Sequence, residues 1–290
     1  LMKTEPNAKT TDSENSSDSA ARMSFGGHLD ELRKRVVRGV LALGVLFIVA
    51  WGGFVRQLEA LFMLPHRRAA EALSHYEPPI AIDLKLQVLG PVEHVFFDLK
   101  VAFLAAMLFG FPYLLWQIWS FIAAGLFPKE RKVVLGYLPF SVLAGLTGIA
   151  FGYTIMIPKV LEFLYSMVNT DLLQPAYRLT DYFSIFLMFT FALALVFQLP
   201  LLLMGLGAAG LVDAAKLRKY RRHFILVAFV LGALLTPPDP MSQAMMAAPT
   251  IILYEVGILL VAMQALGKKK TSPDPSSGGD APSSGTGLSE

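Results

Sequence analysis

His28-Leu29-Asp30-Glu31-Leu32-Arg33-Lys34-Arg35 leads directly into the apolar run Val36–Phe54, and the reading of this junction decides the fold. Leu29, Leu32, Val36 and Val37 follow helical spacing, so one face can lie on lipid or protein while the charges stay in water. The apolar run has roughly 20 residues, the length needed to cross the hydrocarbon of a bilayer. The pattern predicts a short charged helix at a membrane surface, anchoring one end of a helical bundle. Basic residues beside a span are expected on its cytoplasmic side, but the carboxylates of Asp30 and Glu31 need a further reason.

Composition supports the membrane reading. Of 290 residues 54% are hydrophobic and only 16% charged, whereas a soluble domain carries about a quarter charged residues. The absence of cysteine removes disulfides and thiolate metal sites. No cleavable signal peptide is expected, because the first apolar run is too long and lacks a small-residue cleavage site. Residues 1–22 are polar and read as a disordered tail, with Met23 a candidate start.

Further spans are expected at about Val101–Ala123, Val133–Ile157, Tyr182–Leu206, Phe224–Leu235 and Gln243–Met263. The fifth is near a dozen residues, short for a lone crossing. A polar connection, residues 55–98, ends in Pro91–Leu99, which reads as an amphipathic helix in the outer interface, with proline suited to its first turn. Pro158 is expected to end the third span. Residues 266–290 read as a disordered tail, leaving 23–265 as the membrane domain. The expected fold is an all-α membrane protein of six transmembrane helices, the last two short. Sixteen of the 25 Lys and Arg fall on the side of the termini and seven on the other, which places both termini in the cytoplasm.

Several chemistries are missing. There is no His-Glu-x-x-His, no Gly-x-Ser-x-Gly, and no Walker or Rossmann glycine pattern. The five histidines, His28, His66, His75, His94 and His223, fall in polar or interfacial stretches. Neither an enzyme nor a cofactor or metal site is expected.

Five separated stretches occur in one order: His28–Arg35; Tyr113–Ile122 leading to Phe127-Pro128-Lys129-Glu130-Arg131; Phe197-Gln198-Leu199-Pro200; Leu235-Thr236-Pro237-Pro238-Asp239; and Ser242-Gln243. Together they resemble TatC, the polytopic subunit of the twin-arginine protein translocase, over about Ser24–Met263. The resemblance implies a receptor in the bacterial cytoplasmic (inner) membrane. Such a receptor binds twin-arginine signal peptides at its cytoplasmic face. It assembles with single-span TatA and TatB proteins and exports folded cargo using the proton-motive force. It also implies self-association and a recognition role for Glu31 and Glu130. The chain departs from the family where Ala123-Ala124-Gly125 lacks a common proline, and residues 66–80 lengthen the first outer connection.

The residue chemistry points the same way. Paired guanidinium groups want carboxylates in bidentate geometry, which lysine cannot reproduce. Glu31 and Glu130 are the glutamates beside the spans on the inner face, each among cations. An ordinary Glu31–Arg35 helix pair at i,i+4 is the plainer alternative. Arg33 and Arg131 are expected to orient these carboxylates or to contact lipid phosphate. Phe121 either lines the same area or is an ordinary packed aromatic.

Within the membrane, Gln198 stands where many TatC proteins have glutamate, so no titratable group is available there. It is expected to face a concavity that docks a partner span, or else to join helices inside the monomer. Glu255, deep in the last span, must be protonated or hydrogen-bonded, with Gln243 and Tyr153 as possible neighbours. Glu255 is either a structural link or a partner contact. Asp239, at the outer turn beside Gln243, suits a helix cap. The competing function is a secondary transporter of a small solute with Gln198 and Glu255 at its midplane; a scaffold without transport is a third.

Overall fold

The computed structural model describes residues 25–270, except 77–79, 81, 84, 125–135, 170–174, 209 and 238. The first helix, α1 (Phe25–Val49), passes through one π-helical turn, Ala50–Phe54, into α2 (Val55–Phe62); α3 (Leu64–Ser74) follows. The charged stretch is therefore the opening of the first spanning helix, not a separate surface helix. No glycine or proline lies between His28 and Gly39, and Leu, Arg, Lys and Glu all favour helix.

The same correction applies to the second span. The helix α4 runs unbroken from Pro91 to Ala124, through Pro112. At 1.5 Å per residue it is about 50 Å long, against about 30 Å of hydrocarbon. The amphipathic stretch Pro91–Leu99 is thus the part of α4 that extends past the membrane core.

Next come α5 (Leu138–Phe151), a π-helical turn Gly152–Met156, and α6 (Ile157–Ser166). Pro158 does not stop this helix; it lies inside the continuous helical stretch Leu138–Ser166, two residues after the π-helical turn. The fourth stretch is α7 (Leu179–Val196) and α8 (Leu199–Ala208), interrupted at Phe197–Gln198. Pro200 cannot donate to the carbonyl of Val196, which accounts for the break. Last are α9 (Ala214–Lys219), α10 (Arg221–Leu235) and α11 (Pro240–Lys270). Among the described residues five stretches are long and apolar enough to cross a membrane. The helix α10, with 15 residues, is not; its length of about 22 Å matches the short fifth span expected from sequence.

Side-chain contacts sort the helix ends into two groups. Leu32 and Arg35 share a groove with Gln117 and Phe121. The indole of Trp119 bonds Ser141, and Gln264 donates to the hydroxyl of Tyr137. The start of α1 and the end of α11 therefore lie at one end of the bundle. At the opposite end Tyr153 donates to the carbonyl of Leu61, and Tyr182 to that of Phe62, both at 2.6 Å. The two connections there meet through Gln87, whose N–H donates to Tyr177 and whose carbonyl accepts from Leu179. The largest core cluster, around Phe62, Phe97, Tyr182, Phe186 and Phe189, also lies toward this end.

The unassigned segment after residue 66 has a packing role. The helix α3 lies on α6, with His66 fully buried and its Nδ1 2.9 Å from the hydroxyl of Tyr165. Burial holds the His66 imidazole below its ordinary range. Nearby, Glu162 accepts from Tyr76 at 2.9 Å and from Lys159 at 2.7 Å.

The approach of α5 to α7 rests on small residues. Ser141, Gly145, Gly148 and Gly152 are all buried and recur at spacings of four, three and four along one face. A Cβ on Gly148 would stand 2.8 Å from the backbone oxygen of Leu193. Close backbone approach of this kind is how helices pack where lipid removes the hydrophobic drive between them.

Candidate functional site

The helices α1 and α4 together line an apolar groove of about 290 Å³ near the start of α1. Leu32, Val36 and Val40 line one wall; Leu114, Ile118 and Phe121 line the other. Gly39 lets the helices approach below it, with the side chain of Leu114 3.4 Å from where a Cβ would stand. Phe121 therefore faces the groove and is half-buried.

Glu31 stands one residue before Leu32, at the rim. Its Oε1 accepts from Arg35 through Nε at 3.1 Å and through a terminal nitrogen. Its Oε2 is cut off from solvent and has no hydrogen-bond partner among the described residues. The i,i+4 helix pair exists, yet it satisfies only half of the carboxylate. Arg33 is exposed. Glu130 and Arg131 lie outside the described residues, in the connection between Ala124 and Gly136.

Gln198 occupies the break between α7 and α8. Its amide nitrogen donates to the carbonyl of Ser141 at 3.0 Å, and its amide oxygen accepts from the Ser141 hydroxyl. That hydroxyl accepts from the Trp119 indole at 2.8 Å. Gln198 thus joins α4, α5 and the α7–α8 break inside the monomer.

Glu255 is neither alone nor deeply buried. It accepts from Arg221 at 2.6 Å, with its side chain 39% exposed. The short α10 returns antiparallel along α11, so its first residue falls opposite Glu255; the stacked rings of Phe224 and Tyr254, 3.8 Å apart, set that register. The expected neighbours bond elsewhere: Gln243 donates to the carbonyl of Phe229, and Tyr153 to that of Leu61. Asp239 caps α11, its Oδ1 accepting from the N–H of Ser242 at 2.7 Å, with Pro240 in the first helical position.

The residues that sequence reasoning did not single out are Ser141 and the groove walls Leu114 and Ile118. A serine or leucine within an apolar run gives no signal until the facing helix is known.

A family model for the Sec-independent protein translocase protein TatC matches residues 27–249. Over 236 residues the chain is 38% identical to the TatC protein of Halothiobacillus neapolitanus; the match covers 81% of this chain and spans 61% of that relative's length. It is 33% identical to the TatCy protein of Bacillus subtilis, with 82% of this chain and 89% of that one covered. Among solved structures, a crystal structure of the twin-arginine translocase receptor TatC aligns with a TM-score of 0.66 at 29% identity, covering 81% of this chain and 97% of that one. A second crystal structure of that receptor, in DDM, gives 0.67. With its helices, the succession of motifs and the matched length in agreement, the chain belongs to the TatC family and is a multi-pass inner-membrane subunit of a twin-arginine protein translocase.

Proposed function

We propose that this chain is the receptor subunit for twin-arginine signal peptides, with the groove between α1 and α4 as the receiving surface and Glu31 as its charged rim. The observation that carries this is the desolvated Oε2 of Glu31, without a partner among the described residues, beside an apolar groove. A buried acceptor without a donor costs free energy. A guanidinium supplies that donor, and the apolar segment of a signal peptide suits the groove below it. Glu130 supplies the second carboxylate from the adjoining connection, and Arg131 and Arg33 orient the pair. The bias of Lys and Arg supports a cytoplasmic location for this end and for both termini.

The test is site-specific photocrosslinking from position 118 or 32, whose side chains are 53% and 38% exposed. A signal peptide with two arginines is expected to crosslink at least ten-fold more than its double-lysine version. Equal yields would reject the reading.

Assembly with TatA- and TatB-type single-span proteins belongs to the same proposal. A lateral apolar groove of about 410 Å³ separates α7 from α10, lined by Leu187, Phe191, Leu195, Leu231 and Leu235. It is suited to an apolar helix. Replacing Gln198 with leucine removes the acceptor of the Ser141 hydroxyl, a loss of about 1 kcal/mol by the measure of interhelical bonds in membranes. Crosslinks to the partner spans, and transport driven by the proton-motive force, are expected to fall while signal-peptide crosslinking changes less than two-fold. A midplane solute site finds no support here, because Gln198 and Glu255 are held by different partners on different helices.

A further inference from the structure

At the end of the bundle opposite Glu31, α2 meets the first turns of α4, and three potential metal ligands converge. Glu59, His94 and Asp98 each bring one donor atom within 4.8 Å of the others. His94 and Asp98 stand one helical turn apart, with Nδ1 and Oδ1 separated by 3.5 Å. Glu59 reaches them from the facing helix, its carboxyl group beside that of Asp98. The Asp98 Oδ1 atom is cut off from solvent and, among the described residues, has the His94 imidazole as its ion-pair partner but no hydrogen bond. Two carboxylates and an imidazole, brought from two helices, therefore converge on one point.

We propose that Glu59, His94 and Asp98 form a binding site for a divalent transition-metal ion of the zinc class. The donor set, one imidazole nitrogen and two carboxylate oxygens, suits zinc rather than magnesium or calcium, which prefer oxygen alone. Donor atoms on a tetrahedral zinc ion stand about 3.4 Å apart, given bonds of about 2.1 Å. The spread of up to 4.8 Å closes with small side-chain rotations. Two carboxylates balance the charge of the ion, and Arg56 works against it from the same helix as Glu59. His94 is 58% exposed, so the ion arrives from solvent, and a three-ligand site leaves a position for water. The bound ion ties α2 to α4, the same two passes whose other ends form the apolar groove.

The test uses the full chain purified in detergent, stripped of metal and titrated with zinc chloride by calorimetry, with thermal melts alongside. One saturable site and a higher thermal midpoint are expected, with no response to magnesium. His94→Ala should weaken zinc binding at least ten-fold without lowering the metal-free midpoint, since the side chain is largely exposed. Asp98→Asn should weaken it similarly. No saturable binding, or unchanged binding in His94→Ala, overturns the proposal. So does loss of binding only when His75 and His223 are replaced.

Discussion

Alanine at position 31 is expected to cut crosslinking of a twin-arginine signal peptide at least ten-fold while the protein stays folded. Hydrogen bonds to a charged group contribute about 1.5–3 kcal/mol, and each 1.4 kcal/mol is ten-fold in affinity. The carboxylate has one oxygen bound by Arg35 and one without a partner among the described residues, so its removal takes that acceptor and releases Arg35. A freed guanidinium at the rim then repels the arriving arginines. Glu31→Ala should therefore cost more than Arg35→Ala, which leaves both carboxylate oxygens available. The double replacement Glu31→Ala, Glu130→Ala should abolish crosslinking. Undiminished crosslinking in the double variant, measured at matched protein levels, would end the recognition role of both residues. A folding defect is distinguishable, because it would also shift the thermal midpoint.

The largest stability effect is expected at Gly148. A methyl group there meets the backbone oxygen of Leu193 at 2.8 Å and the Phe197 side chain at 2.8 and 2.9 Å. A side chain can turn aside, but a backbone oxygen moves only with its helix. Gly148→Ala must push α5 away from α7, at a cost of about 1–3 kcal/mol in the manner of overpacked cores. Gly148→Val should do worse. Gly44→Ala is the control, since nothing lies within 4 Å of its position. Thermal melts in detergent check the order, and a midpoint for Gly148→Ala equal to that of Gly44→Ala would contradict it. The displacement also reaches the neighbouring contact of Gln198 with Ser141.

The spanning helices were legible because lipid demands long apolar runs, and hydropathy records them directly. The connections were not. Val55–Phe62 and Leu64–Ser74 carry charges that lower their hydropathy, yet Phe62 and Leu73 are buried and hold these segments helical. The start of α4 was misjudged for a related reason: its polar turns signalled an interface, but nothing in them ends a helix. At the candidate site, Glu31 stood out as a carboxylate among cations. The groove did not, since its walls come from two helices, α1 and α4, whose packing no single stretch encodes. Glu255 was read as deep because its helix is apolar; its pairing with Arg221 depends on the register of α10 against α11, which no single stretch encodes.

The hydrogen bonds around Gln198 run in one direction. The Trp119 indole gives its proton to the Ser141 hydroxyl, that hydroxyl gives its own to the amide oxygen, and the amide nitrogen gives one back to the Ser141 carbonyl. A carboxyl group of the same shape would keep the first two links, but in place of the third it would aim a lone pair at the carbonyl oxygen. Only the uncharged acid, with its proton on that oxygen, reproduces the circuit. A glutamate at this position would be held neutral by the geometry of its neighbours, acting as an amide substitute and not as a carrier of charge.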